Sequence, residues 1–126
     1  MSLRWAAASA FFLLALLLGA GTSALAVRAD YVTTRDLLGA PDKWHGRQVV
    51  LSGTVTRLEP RTSERGNAYF TFSLADEAGT VAVFSHGTPE VRDGQRVQVE
   101  GFFHKVKRVG KHTFRNQVDA KRIRLL

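Results

Sequence analysis

Apolar and polar residues alternate in five separate stretches of this chain. Gln48–Leu58 (QVVLSGTVTRL) sets Val49, Leu51, Gly53 and Val55 on one face, and Ala68–Ala75 (AYFTFSLA) sets Phe70, Phe72 and Leu74 on one face against Tyr69, Thr71 and Ser73. Thr80–Ser85 offers Val81 and Val83. Arg96–Phe103 offers Val97, Val99, Gly101 and Phe103, and Thr113–Ile123 offers Phe114, Val118 and Ala120. A period of two with one apolar face predicts strands that share a single core. The links agree. Glu77-Ala78-Gly79 and Arg92-Asp93-Gly94-Gln95 are tight turns, and Val109-Gly110 turns the fourth strand into the fifth. Gly53 and Gly101 inside strands permit the coiling and bulges that close a sheet. Ahead of the strands, Thr33-Thr34 followed by an acidic-apolar turn and Gly39-Ala40-Pro41 predicts a short capped helix.

The N-terminus follows a different pattern. Arg4 precedes an apolar run, Ala6–Ala20, and the segment exits through Ala24-Leu25-Ala26. A charged start, an apolar centre shorter than the roughly 20 residues of a comfortable membrane span, and small residues at the exit predict a cleaved secretory signal over residues 1–26. The expected mature chain, residues 27–126, is then exported, periplasmic or extracellular, and keeps no stable membrane span. An uncleaved anchor is the alternative reading of the same run. N-terminal sequencing of the protein recovered from cell envelopes should read Val27 first; a chain starting at Met1 and pelleting with membranes overturns cleavage. Cysteine is absent, which excludes a disulfide framework, thiolate metal ligation and thiol redox chemistry.

GRQVVLSGTVTRL, AYFTFSLADEAGTVAVFS and GQRVQVEGFF resemble the OB-fold superfamily, especially its anticodon-binding-like nucleic-acid domains. The likeness covers about residues 37–126. It implies an all-β domain with small α content: a five-stranded antiparallel Greek-key OB-fold barrel, preceded here by the short helix and the signal peptide. Ser85–Gln95 is short and holds Pro89 and two glycines, so the helix that often joins strands three and four of such barrels is expected to be lost or vestigial.

The resemblance also implies where a ligand lies, because OB-folds bind across strands two and three, between the loop joining strands one and two and the loop joining strands four and five. Both loops are cationic in this sequence. Residues 57–67 carry Arg57, Arg61 and Arg65, diluted by Glu59 and Glu64; residues 104–115 carry Lys105, Lys107, Arg108 and Lys111 with no carboxylate. From residue 100 onward eight Lys and Arg stand against Glu100 and Asp119, so the formal charge of +7 is loaded at one end of the chain. Tyr69 is expected on the face between the loops, with Phe84 beside it if Val81 and Val83 point inward. Cations for phosphates and rings for bases are the recipe for single-stranded nucleic acid or another polyanion. Lys107, Arg108 and Lys111 are expected at the exposed tip of the hairpin.

Other functions find less in the residues. No paired-carboxylate motif, G-x-S-x-G or H-E-x-x-H occurs, so the protein is expected not to be an enzyme and to need no cofactor or metal. His104 and His112 flank one hairpin, yet lack carboxylate or thiolate company in sequence. An accessory or scaffold role in an envelope complex is the rival reading, using the edge of the first strand or an exposed Phe102 to bind a protein partner. VFSHGTPEVRDGQRVQVEG is also similar to the haem chaperones of cytochrome c maturation. Their histidine followed four residues later by tyrosine is missing, since Arg108 follows His104 and Asn116 follows His112 at that spacing.

Overall fold

A computed structural model describes residues 28–126, and the expected signal segment lies outside the described residues. The elements in order are β1 (Asp30–Tyr31), α1 (Thr34–Gly39), α2 (Pro41–Trp44), β2 (Gln48–Thr62), β3 (Ala68–Ala75), β4 (Thr80–His86), β5 (Arg96–Val109) and β6 (His112–Leu125). The sheet runs β1-β2-β3-β4-β6-β5, and β5 pairs back onto β2, so β2 to β6 form a closed ring. This is the expected OB barrel with two refinements. A two-residue β1 adds to β2 in parallel, and the ring closes through a parallel β4–β6 pair that sets Val83 beside Val118. An odd number of strands cannot alternate direction all the way round a ring, so one pair has to be parallel.

The alternation in sequence becomes the core. Val49, Leu51, Val55, Phe70, Phe72, Leu74, Val81, Val83, Val97, Val99, Phe103 and Val118 are all buried in one cluster. Phe114 departs from expectation: it is 40% exposed, because β6 has left the barrel at that point and pairs only with the outer part of β5. Between the two regions Asn116 adopts φ 51, and beyond it Gln117 and Val118 are buried in succession. A residue in the left-handed region breaks strict alternation.

No helix joins β4 to β5, as expected. That link contributes Val91 to the core, and α1 contributes the fully buried Leu37. Thr33 caps α1 in a reciprocal box with Asp36, which satisfies two otherwise unpaired backbone donors. The helix is fastened to the β3–β4 turn by Thr34, whose N–H and hydroxyl donate to the Asp76 carboxylate at 3.1 and 2.5 Å. Asp76 also accepts from the N–H groups of Ala78 and Gly79.

Burial pushes the Asp76 carboxyl upward, but the Thr34 hydroxyl and the three N–H donors together outweigh it, and the net shift is downward. A carboxylate lowered in the folded state contributes stability that is present above its unfolded value of about 4 and is lost as pH falls through the folded value. Urea midpoints should therefore drop on acidification below about pH 4, with a shallower drop for Asp76→Asn. Parallel curves for the two proteins would show that Asp76 carries none of the acid sensitivity.

Candidate nucleic-acid interface

The two cationic segments are built as β-arms rather than open loops. β2 bulges between Thr56 and Glu59, where Arg57 takes φ 54 and the Leu58 N–H donates to Asp93 at 2.9 Å. Pairing with β3 then resumes, setting Glu59 beside Thr71 and Arg61 beside Tyr69. Only Ser63–Asn67 remains as a turn, closed by the Ser63 N–H on the Asn67 carbonyl at 2.8 Å and by the Asn67 N–H on the Ser63 hydroxyl at 3.1 Å. Arg57 at the bulge, Arg61 and Arg65 in the turn are all exposed, and Arg61 is ion-paired with Glu59 along the arm. In the other arm, β5 and β6 stay paired out to Val109 and His112, with Gly110 at φ 59 in the turn.

Lys105 and Lys107 are not at the tip of that arm. The Lys105 ammonium donates to Asp42 at 2.6 Å, and its N–H donates to His45 Nδ1 at 2.9 Å. Lys107 corrects the expectation of an exposed side chain. It is 30% exposed, donates to Asp119 at 2.5 Å and lies 5.3 Å from the Phe84 ring centre. An aliphatic stem covering a ring while its charge meets a carboxylate is a stable place for lysine, and it outcompetes extension into water. Arg108 and Lys111 are exposed near the turn, as expected.

The face between the arms holds a run of aromatic contacts. Tyr69 and Phe84 lie 5.3 Å apart between centroids with their planes inclined at 32°, and His86 meets Phe84 edge-on at 5.0 Å. The register explains the cluster: Tyr69 sits opposite His86, and Thr71 opposite Phe84. Tyr69 and Phe84 are half-buried and His86 is exposed. The first two rings touch, which leaves no room for a flat group between them.

Asp119 organises the centre of this surface, and it was not apparent in the sequence. It accepts from Lys107, lies 3.2 Å from His104 Nε2, and takes the Gln117 amide at 2.8 Å. Its position on β6 beside Phe84 on β4 was the available signal, but it needs the parallel pairing to be known. His86 was legible by alternation with Ala82 and Phe84. His104 does not meet His112; it faces His45 at 5.9 Å. Among the described residues, no group of three or more His, Asp and Glu is placed to hold a metal ion, and no helix is long and apolar enough to cross a membrane.

The surfaces expected for a protein partner are altered. Phe102 is half-buried with the Lys121 ammonium 4.7 Å from its ring, and both edges of β2 are occupied, by β1 or β3 and by β5.

Scans against protein-family models and against curated proteins return no match. Solved structures do match. The yeast Stn1 and Ten1 structure aligns with a TM-score of 0.63 at 11% identity, over 79% of this chain and 63% of that one. The OB domain of Ta0387 from Thermoplasma acidophilum aligns at 0.52 and 18% identity, over 78% and 88%. A protein assigned as an aspartyl-tRNA synthetase of Leishmania major Friedlin aligns at 0.57 and 14% identity, over 77% of this chain and 20% of the enzyme. This chain thus spans under two thirds of the Stn1 and Ten1 match and a fifth of the synthetase. At these identities the likeness speaks to fold, and with the ring order above it defines an OB-fold domain.

Proposed function

We propose that the protein is a binding module without catalytic activity, which holds single-stranded nucleic acid across the outer face of β3 and β4. The observation that carries this reading is the aromatic surface of Tyr69, Phe84 and His86, joined by the Lys107 ammonium and standing between two cationic arms. Bases stack on rings whatever their sequence, and arm cations neutralise phosphates, so the surface suits a flexible strand better than a compact anion. A synthetase named for its tRNA substrate shares the fold, which supports the reading without deciding it. With the expected signal segment, the ligand is met outside the cytoplasm.

Fluorescence anisotropy with a short single-stranded oligonucleotide tests it. Affinity should fall with salt by about 0.7 logarithmic units per phosphate neutralised, per tenfold salt. Tyr69→Ala should cost a further 1–3 kcal/mol, roughly, with the salt slope unchanged, because stacking is not ionic. Salt-sensitive binding that ignores Tyr69 would make the ligand a generic polyanion, and absence of binding at low salt would end the proposal.

A further inference from the structure

A cleft of about 420 Å³ is lined by Asp42, His45, Lys105, Val106 and Arg108. His45 faces His104, which lies against Asp119, the β6 residue paired with Phe84 of the aromatic face. The cleft lies where α2 and its C-cap meet the root of the β5 arm. Three of its lining side chains carry N–H donors, and one of them, the His45 ring, is held by a backbone N–H. The Lys105 N–H donates to His45 Nδ1 at 2.9 Å. An accepting Nδ1 leaves the proton on Nε2, so in the neutral ring Nε2 is a donor. Lys105 reaches the cleft with its ammonium on Asp42, whose side chain is 85% exposed, and Arg108 adds an exposed guanidinium. An exposed ion pair of this kind is weak, and a doubly charged oxyanion competes with it for the ammonium.

We propose that this cleft binds a phosphomonoester, the terminal phosphate of the strand lying on the aromatic face. The proposal rests on the nucleic-acid reading above. A backbone phosphodiester offers two free oxygens and one charge. A terminal phosphate offers three oxygens and nearly two charges, which matches a lysine, an arginine fork and a fixed imidazole donor gathered in one recess. A recess separated from the stacking surface by His104 and Asp119 suits an end of the strand rather than its middle.

The test compares one single-stranded oligonucleotide in three forms: unphosphorylated, 5′-phosphorylated and 3′-phosphorylated. One phosphorylated form should bind about tenfold tighter than the unmodified strand, and which one identifies the end that is held. His45→Asn keeps an acceptor near the Nδ1 position and removes the Nε2 donor. In that variant the tenfold preference should shrink to about twofold, while affinity for the unmodified strand changes by less than about twofold. Equal binding of all three forms, or a preference untouched by His45→Asn, overturns the terminal-phosphate site and leaves the nucleic-acid reading standing. Should no strand bind at all, titration with inorganic phosphate followed by NMR reads the cleft separately. Saturable shifts at His45, Lys105 and Arg108 support an oxyanion site, and their absence overturns it.

Discussion

Gly101→Ala is expected to destabilise the domain by about 3 kcal/mol or more, a large part of the stability a domain of this size has. A Cβ built on Gly101 would stand 2.1 Å from the Asp119 carbonyl oxygen, 2.8 Å from its carbon and 2.9 Å from Ala120 Cα. All three are backbone atoms of β6, so no side chain can rotate out of the way. The close approach falls at a break in the register. Between Glu100 and Gly101 the β5–β6 pairing shifts, Arg122 standing opposite the first and Ala120 opposite the second, so Lys121 is an extra residue in β6 beside the close approach. Gly101 is not at positive φ, which makes the expected loss steric rather than conformational. Gly39, with nothing within 4 Å of its built Cβ, is the control, and Gly39→Ala should stay within about 0.5 kcal/mol of the parent. Urea denaturation of the three proteins checks this, and similar midpoints for both variants would mean that β6 is not held against β5 as described. The same substitution should weaken ligand binding, because the displaced carbonyl belongs to Asp119, which holds Lys107 and His104.

What the sequence made legible is the part of the fold where burial on one face forces alternation. Val49 to Val55, Phe70 to Leu74 and Val97 to Phe103 could be placed inside because a slip of one residue would expose every apolar side chain. The arms were harder. Glu59 to Thr62 has no apolar face and includes Pro60, so it reads as loop, yet backbone pairing with β3 carries it as strand. Phe114 continues the apparent apolar face of β6 past the point where the barrel ends, and nothing local marks that point except Asn116. The candidate site was legible in charge and in the placing of Tyr69 on the face between the arms, and illegible in pairing. Lys105 meets Asp42 across 63 positions and Lys107 meets Asp119 across 12, contacts set by the docking of α2 on β5 and by the β5–β6 register rather than by local sequence. A count of cations therefore overstated how many are free for a ligand.

That distinction sets the most demanding expectation for the binding face. Arg65, Arg108 and Lys111 are exposed cations at or beside the two turns, outside the ion pairs that hold Arg61, Lys105 and Lys107. Arg65→Glu, Arg108→Glu and Lys111→Glu together should abolish oligonucleotide binding at about 150 mM salt. Removing three phosphate contacts should make the salt slope shallower by about 2, and the new carboxylates add repulsion that grows as salt is lowered. Folding should be spared, since exposed substitutions away from packed features each stay within about 0.5 kcal/mol. Lys107 is left out deliberately. Lys107→Glu would set a second carboxylate against Asp119 beside Phe84, so lost binding in that variant would be confounded with lost structure. The triple variant should instead keep the parent's urea midpoint and its dependence on pH, with only binding gone. If it holds the oligonucleotide as tightly as the parent at low salt, the arms do not clamp the strand. Their charge then serves to keep two long exposed hairpins from pairing with other chains, as lysine-rich sheet edges do.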